Sequence, residues 1–230
     1  MIFIIISQSI KEYFRKYIMN IMGKINGVII LAGGKSERMN FPKAFLLYRG
    51  KTFLKQIVEE YYHAGIKNIY VVLNESFCYG EWEKYLDQVK PKATLIKNSN
   101  PELGRFHSLK LGMENMLNSS VQSGTELEFC FIQNIDNPFV NKELIDSLRE
   151  SRNSLGYTSP IYKGRKGHPI LVSKKIIQHF CELPDGNFNL KNLLSSFPKQ
   201  EVEMKNGDIL ININTAEDYK KHIGERELSY

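Results

Sequence analysis

The stretch Gly27-Val-Ile-Ile-Leu-Ala-Gly-Gly-Lys-Ser-Glu-Arg-Met-Asn-Phe-Pro-Lys43 decides the fold of this chain. It begins with an unbroken apolar run over residues 27–32, which is typical of a strand buried on both faces of a parallel sheet. The two glycines that follow let the backbone approach a ligand closely, and backbone N–H groups exposed there can hold phosphate oxygens. Lys35, Arg38 and Lys43 add positive charge to the same loop. The stretch therefore predicts a phosphate-binding loop directly after a buried strand.

Two familiar phosphate-binding motifs do not fit this loop. A P-loop would need a glycine five residues before Gly34-Lys35-Ser36, and that position is Ile29, inside the apolar run. The dinucleotide fingerprint GxGxxG also fails, because Gly33 and Gly34 are adjacent and no third glycine follows them. The loop must therefore hold phosphate in another way.

Outward from this loop, the chain alternates apolar runs with segments of helical periodicity. Strands are predicted at residues 68–73, 93–96, 128–133, 156–160, 169–172 and 209–213, and helices at 52–63, 81–88, 106–117, 141–151, 174–181, 190–196 and 215–222. This alternation predicts an α/β fold with a single doubly wound, mostly parallel sheet flanked by helices. In such sheets the ligand lies beyond the carboxyl ends of the strands, so functional residues should follow strands.

Length, charge and cysteine content narrow the class of protein. The 230 residues fit one domain, which we predict to cover residues 25–230. The net charge of +6 suits a site for polyanionic small molecules. Nucleic acid is not predicted as a partner, because the chain has no long basic block interleaved with aromatic residues. Three cysteines without a CxxC pair indicate neither a zinc site nor a disulfide framework, and favour a cytoplasmic protein.

Residues 1–24 are predicted to be an extension that the domain does not need. The apolar run over residues 1–6 is too short to span a bilayer, so stable membrane insertion is not predicted. No basic region precedes this run and no small-residue cleavage site follows it, which argues against a signal peptide. Met22 stands just before the first strand, which is what we expect if translation begins there and the start codon was assigned too early. The alternative is an anchor at a membrane surface.

The segment from Leu31 to Lys43 resembles the N-terminal signature LAGGxSxRMGxxK of the MobA-like NTP transferases. The one departure is Asn40, where that family usually has glycine, and asparagine tolerates a left-handed backbone better than most residues. The resemblance implies a Rossmann-like nucleotidyltransferase fold, with Arg38 and Lys43 in contact with the phosphates. It also implies that the triphosphate is wrapped by Leu31, Ala32, Gly33, Gly34, Lys35 and Ser36. The alternative is a strand followed by a basic surface loop.

Two later segments resemble the metal-binding positions of the same family. Asp136 follows a predicted strand in Ile135-Asp-Asn-Pro138, where a carboxylate suits a hard cation. The family has Asp-x-Pro here, and its aspartate is a magnesium ligand. The resemblance at Asn212-Ile-Asn-Thr215 implies that Asn214 shares Mg²⁺ with Asp136, as a weaker amide ligand. The alternatives are a turn aspartate before a helix, and a plain capping segment at residues 215–218.

Asn100, Gly104 and Ser108 lie in a segment that resembles the nucleobase-binding region of the family. The spacing Gly104-x-x-x-Ser108-Leu109 is similar to branches that use CTP, so the resemblance favours cytosine over guanine. The alternative for Ser108 is an ordinary residue at a helix N-terminus.

The segment Gly164-Arg-Lys-Gly-His-Pro-Ile-Leu171 resembles the Gly-His-Pro segment of the molybdenum cofactor cytidylyltransferase branch, which faces the acceptor. Arg165, Lys166 and His168 are therefore the predicted acceptor-binding residues. The alternative is a solvated hairpin tip with a structural histidine.

Together these resemblances imply a Mg²⁺-dependent nucleotidyltransferase with Arg38, Lys43 and Asp136 as its catalytic residues. It would move a nucleoside monophosphate from CTP, or from GTP, to a phosphorylated small molecule of the molybdopterin type and release pyrophosphate. One alternative is a cytidylyltransferase of the same fold for a sugar phosphate or an alcohol phosphate. Another is a non-catalytic nucleotide-binding regulatory module. A glycosyltransferase is disfavoured because Asp136-Asn-Pro lacks the second aspartate of a DxD motif. The sequence leaves the oligomeric state open.

Overall fold

The computed structural model describes residues 25–34 and 36–224. The predictions made for residues 1–24 and for Lys35 lie outside these residues. The strands are β1 (Ile25–Leu31), β2 (Leu47–Tyr48), β3 (Lys51–Thr52), β4 (Ile69–Asn74), β5 (Thr94–Asn98), β6 (Phe129–Asn134), β7 (Tyr157–Tyr162), β8 (Arg165–Lys166), β9 (Ile170–Ser173) and β10 (Lys199–Glu203). The α-helices are α1 (Phe53–His63), α2 (Glu83–Leu86), α3 (Gly104–Ser123), α4 (Lys142–Glu150), α5 (Lys174–Glu182), α6 (Leu190–Leu194) and α7 (Ala216–Tyr219).

Short 3-10 segments supplement these elements at Glu37–Met39, Lys43–Phe45, Glu75–Phe77, Gly80–Trp82, Pro101–Leu103 and Asp208–Leu210, and a π-helical turn follows α7 at Lys220–Gly224. Within the described ranges, none of the helices combines the length and apolarity that crossing a membrane requires.

The central sheet has the strand order β10-β7-β9-β6-β1-β4-β5, and β8 pairs with β7. Pairing is parallel between β1 and its neighbours β4 and β6, between β4 and β5, and between β10 and β7, whereas β9 runs antiparallel to both β6 and β7. The prediction of a mostly parallel sheet is therefore confirmed. Because β1, β4, β5 and β6 are parallel, their carboxyl ends meet at one edge of the sheet.

Both faces of the sheet are covered, as the apolar character of β1 requires. Val28 and Ile30 face one hydrophobic cluster, which includes α1 and α4, whereas Ile29 and Leu31 face a second cluster, which includes α3 and α5. The second contact is close, because a Cβ at Gly112 of α3 would lie 2.6 Å from Cγ2 of Ile29. Helix α3 is thus pressed against β1, and its N-terminus lies near the end of that strand.

One predicted strand is absent, and the predicted start of one helix is wrong. The predicted strand at residues 209–213 is absent: Asp208–Leu210 form a 3-10 helix, and Ile209 and Ile213 are buried below the loops without joining a sheet. The last strand is β10 instead, an edge strand whose side chains are mostly exposed and which therefore lacks an apolar run. Helix α3 also begins at Gly104, two residues before the predicted start, so it includes Arg105.

Candidate active site

A cavity of about 580 Å³ opens at the carboxyl ends of β1 and β6, beside the N-terminus of α3. Its lining includes ten of the residues predicted from the sequence: Leu31, Gly33, Gly34, Ser36, Arg38, Lys43, Gly104, Ser108, Asp136 and Asn214. These residues are far apart in the chain, and the parallel strands bring them together. Two of the residues predicted to bind the nucleotide lie elsewhere. Ala32 is buried beneath the loop, where its N–H donates to the carbonyl of Val72 at 2.9 Å, and Asn100 is exposed outside the cavity.

The loop after β1 is held by its own hydrogen bonds and by aromatic packing. The hydroxyl of Ser36 accepts the backbone N–H of Lys43 at 3.1 Å, and the carbonyl of Ser36 accepts the N–H of Met39 at 2.8 Å. The ring of Phe41 packs edge-on against Trp82, with centroids 5.4 Å apart. At Gly33 a Cβ would lie 3.1 Å from the backbone nitrogen of Asn74, so this glycine lets the loop pass close to the end of β4. The described residues of the loop are therefore held in this shape by contacts within the protein.

Asn40 has a φ of 50°, in the left-handed region where glycine is most comfortable. This conformation explains how asparagine can stand at the position where the family signature has glycine. An alanine there would cost about 1 kcal/mol, because its Cβ crowds the backbone.

We expect Asn40→Gly to keep or raise the free energy of unfolding, and Asn40→Ala to lower it by about 1 kcal/mol. Urea unfolding of the two variants measures this difference. Asn118→Gly, at an exposed position inside helix α3, is the matched control and should destabilise, because glycine weakens a helix. A stabilising effect of Asn40→Ala would contradict the argument.

Lys43 and Asn214 are in direct contact within the cavity. The Lys43 Nζ donates to Oδ1 of Asn214 at 2.8 Å. Asn214 is itself fixed, because Oδ2 of Asp218 accepts its backbone N–H at 2.9 Å and Asp218 forms a capping box with Thr215. The predicted capping segment is therefore present. Desolvation lowers the pKa of Lys43, the negative charge of Asp136 opposes that effect, and Arg38 adds to it.

Asp136 carries an unpaired oxygen atom next to these cations. Its Oδ1 is buried and has no hydrogen-bond partner among the described residues. Desolvation raises the pKa of this carboxyl, and the positive charges of Lys43 and Arg105 counteract the rise. Its backbone carbonyl accepts the N–H of Ile213 at 2.7 Å, which ties the end of β6 to the segment that carries Asn214. A partly buried carboxylate with a vacant oxygen fits a divalent cation.

The other end of the cavity is formed by the start of α3. Gly104 has a φ of 87°, and a Cβ there would lie 3.4 Å from Oδ1 of Asn187. Ser108 is buried, and its hydroxyl oxygen accepts from the amide of Asn98 at 2.9 Å. The hydroxyl proton of Ser108 can therefore be donated to a ligand acceptor.

Arg105 is the main residue of the site that the sequence prediction missed. Its guanidinium donates a hydrogen bond to Oδ1 of Asn134, the last residue of β6. The residue is exposed to solvent, but protein atoms surround it on several sides. This partial desolvation lowers the pKa of Arg105, and the negative charge of Asp136 opposes the effect. The signal that could have found it is a cation directly after Gly104, in the loop that leaves a predicted strand.

A second cavity of about 970 Å³ lies beside the first, between α3, β7 and α6. It is lined by the predicted residues Arg165, Lys166 and His168, and by Arg105 and Lys191. Arg165 and Lys166 are exposed, and the charge of Lys166 is shared with Glu201, 3.7 Å away. A Cβ at Gly167 would lie 2.4 Å from the carbonyl oxygen of Ile209, so only glycine fits before His168. The Gly-His-Pro segment is thus pressed against the 3-10 helix at residues 208–210.

His168 is held in its neutral form. Its Nδ1 is buried without a partner among the described residues, and desolvation together with the charge of Arg105 lowers its pKa to about 4. The unfolded chain binds a proton at this site below about pH 6.5, but the folded chain does so only near pH 4. The stabilising contribution is thus complete above pH 6.5 and is lost as the pH falls to about 4.

We therefore expect the free energy of unfolding to decrease by up to about 3 kcal/mol over this acidic range, and His168→Gln to remove much of the decrease. Urea unfolding at a series of pH values measures it. In the control His63→Gln, which changes an exposed histidine outside both cavities, the wild-type decrease should persist. An unchanged pH profile in His168→Gln would show that His168 is not the group responsible.

Comparison with known proteins identifies the arrangement. The MobA-like NTP transferase domain matches residues 28–202, which is most of the chain and overlaps every strand of the central sheet. The fold and the site define a nucleotidyltransferase. More narrowly, the chain belongs to the MobA-like NTP transferase family.

Individual relatives agree with this assignment. The chain is 26% identical over 192 residues to the molybdenum cofactor cytidylyltransferase of Escherichia coli, an alignment that covers 83% of this chain and 92% of that protein. It is 25% identical over 214 residues to a probable molybdenum cofactor guanylyltransferase of Clostridium perfringens, which covers 86% of this chain and 96% of the relative. A nucleotidyl transferase structure from Methanothermobacter superimposes with a TM-score of 0.71 at 17% identity, over 90% of this chain and 100% of that one. The structural likeness establishes the shared fold.

Proposed function

We propose that this protein transfers a nucleoside monophosphate from CTP to the phosphate of a molybdopterin-type cofactor and releases pyrophosphate. The observation that carries the proposal is the pair of adjoining cavities, of which one has a phosphate loop and the other is cationic and aromatic. Relatives named for cytidylyl transfer and for guanylyl transfer are similarly distant from this chain, so GTP is the second candidate donor.

The chemistry needs no general base. A phosphate monoester is already ionised at neutral pH, so its oxygen can attack the α-phosphorus of the nucleotide directly. A new P–O bond forms, the bond from the α-phosphorus to the bridging oxygen breaks, and the electron pair leaves on pyrophosphate. The protein must therefore position two polyanions and neutralise the charge that develops. We assign the backbone at Gly33 and Gly34, with Arg38 and Lys43, to the leaving pyrophosphate.

Asp136 and Asn214 are the residues that would hold Mg²⁺. Asp136 fits this role because its Oδ1 is buried and unpaired. Asn214 fits it less directly, because its Oδ1 already accepts from Lys43, and only the second lone pair of that oxygen is free. When bound, Mg²⁺ would supply a Lewis acid that offsets the negative charge developing on the phosphates.

The lining of the second cavity favours an acceptor with a flat ring system and a phosphate. Three aromatic side chains, Tyr157, Phe106 and Phe188, supply apolar surface, and the cations Arg105, Arg165, Lys166 and Lys191 supply anion partners. No carboxylate stands among the described residues that line it. A sugar phosphate or an alcohol phosphate would use the cations but leave the aromatic surface uncovered, so these acceptors are less favoured.

A thermal-shift panel of CTP, GTP, ATP and UTP with Mg²⁺ tests the nucleotide, and pyrophosphate release with added molybdopterin tests the acceptor. The preferred nucleotide should stabilise the protein by about 2.7 kcal/mol at a hundredfold excess over its dissociation constant. We expect CTP to give the largest shift and molybdopterin to trigger pyrophosphate release. A nucleotide shift without turnover on any phosphorylated acceptor would favour the non-catalytic module instead.

A further inference from the structure

We propose that Arg105 binds the α-phosphate of the nucleotide and the phosphate of the acceptor at the same time, and so brings the two reacting anions together. This inference rests on the proposed function, since it assigns the first cavity to the nucleotide and the second to the acceptor. Of the residues that the structure describes, Arg105 alone lines both cavities.

The position of Arg105 matches the point at which transfer must occur. Gly104, Ser108 and Lys43 all line the first cavity. The proposed function assigns Gly104 and Ser108 to the nucleobase and the loop with Lys43 to the pyrophosphate. On this assignment the α-phosphate lies between them, where Asp136 and Arg105 also line the cavity and interact electrostatically. An acceptor phosphate that attacks it must come within about 3–3.5 Å, and it enters from the side of the second cavity. Arg105 stands at that junction.

The charge of Arg105 is not neutralised by a carboxylate. Among the described residues its guanidinium has an amide partner, Oδ1 of Asn134, and no acidic side chain within ion-pair distance. Asp136 influences it electrostatically but does not contact it. A guanidinium has five N–H donors, so the bond to Asn134 leaves four for ligands. A partly desolvated cation that keeps most of its donors free is suited to hold anions.

The surroundings also hold the guanidinium in place. Asn134 is buried at the end of β6, two residues before Asp136. Its hydrogen bond therefore holds the guanidinium of Arg105 near Asp136. Arg105 lies in the first turn of the 20-residue helix α3, where the helix dipole adds positive potential. Gly112 packs that helix tightly on β1, so the backbone that carries Arg105 is fixed relative to this strand. Asn134 is accordingly a positioning residue.

Replacing Arg105 by alanine should affect transfer more than nucleotide binding. We expect Arg105→Ala to weaken CTP binding by about tenfold, the effect of one charged hydrogen bond, and to lower kcat by about 100-fold, the size expected when one charge-stabilising donor is lost. The KM for the acceptor should rise. Millimolar guanidine should restore part of the kcat of Arg105→Ala, because the deletion leaves a space that is open to both cavities. The same addition should raise the kcat of Arg105→Lys less.

The matched control is Lys110→Gln, which removes a positive charge from the same helix where it contacts Asp185 and the carbonyl of Leu183, outside both cavities. This variant should keep the wild-type kcat and KM. If Arg105→Ala turns over like the wild type, or if its kcat at saturating CTP is unchanged while CTP binding is lost, the bridging role is wrong.

A binding experiment separates this inference from the proposed function. With a non-hydrolysable CTP analogue in the first cavity, inorganic phosphate serves as the probe for the acceptor position. Wild-type protein should bind it at least about tenfold more tightly than Arg105→Ala, the effect of one charged hydrogen bond. If this holds while the wild type transfers nothing to any acceptor, the proposed function fails and the bridging role stands. If the wild type transfers the nucleotide but phosphate binds equally to the wild type and to Arg105→Ala, the proposed function stands and the bridging role fails.

Discussion

Asp136→Asn is expected to slow nucleotidyl transfer by about 1000-fold, because losing a metal ligand removes several kcal/mol of charge stabilisation. The same substitution should raise the free energy of unfolding of the ligand-free protein. The carboxylate is partly desolvated, one of its oxygens is buried without a partner, and its pKa is raised, so the folded protein pays a cost to keep it charged. An amide of the same shape avoids that cost. A simultaneous loss of activity and gain of stability is the signature of a functional group, and a structural aspartate would show the opposite.

The measurement is pyrophosphate release from CTP with molybdopterin and Mg²⁺, together with urea unfolding of the apo protein. The control Asp87→Asn changes an exposed carboxylate that pairs with Lys90 at 2.6 Å, and it should leave activity unchanged. Retained turnover in Asp136→Asn would remove the metal assignment. Lower stability with normal turnover would make Asp136 a structural residue of the turn after β6.

The fold and the phosphate loop could be predicted from the sequence because both depend on local pattern. A buried strand followed by two glycines is readable along the chain, and the structure places Gly33 and Gly34 at the end of β1 as expected. The left-handed backbone at Asn40 was also predictable, because it follows from the residue type and the matching glycine of the family signature. The loop and the backbone at Asn40 are each decided by residues that are neighbours along the chain.

Features decided by tertiary packing were not predictable in the same way. The apolar run at residues 209–213 resembles a strand, but its carbonyl groups accept hydrogen bonds from outside any sheet. The carbonyl of Ile209 accepts the N–H of His168 at 3.1 Å, and the carbonyl of Ile211 accepts the side-chain amide of Asn137 at 2.8 Å. The run therefore buries Ile209 and Ile213 below the loops without joining the sheet. The polar segment of β10 forms the edge of the sheet instead. Pattern alone cannot tell which of two segments finds a pairing partner.

Arg105 illustrates the same limit for the site. Its importance comes from lining two cavities, and that property does not exist until α3 packs on β1 and β7 completes the second cavity. Along the chain it is one cation among many. Asn214 was predicted as a metal ligand, and its contact with Lys43 suggests a further task, which is to hold the lysine in position.

Lys43→Ala is expected to lower kcat by about 100-fold and to weaken CTP binding by at least about tenfold. Lys43 lines the first cavity and interacts electrostatically with Asp136. Its ammonium is partly desolvated, so a phosphate anion that contacts it would interact more strongly with its charge than it would in water. The fold should survive, because the hydrogen bond from residue 43 to Ser36 is made by the backbone and remains in alanine. Lys43→Arg should recover little of the kcat or of the CTP affinity. A planar guanidinium cannot replace a compact ammonium that the amide of Asn214 holds in place.

Single-turnover kinetics and isothermal titration with CTP and Mg²⁺ measure the two effects separately. Lys51→Ala is the matched control, because it removes a lysine of the same region that pairs with Glu59 at 2.7 Å on the surface, and it should bind and react like the wild type. The roles of Lys43 and Asp136 can also be distinguished from each other. Loss of Lys43 should weaken nucleotide binding in the absence of metal, whereas loss of Asp136 should weaken only the binding that depends on Mg²⁺. If both variants lose only the Mg²⁺-dependent part, Lys43 acts by holding Asn214 for the metal and not by contact with the phosphates.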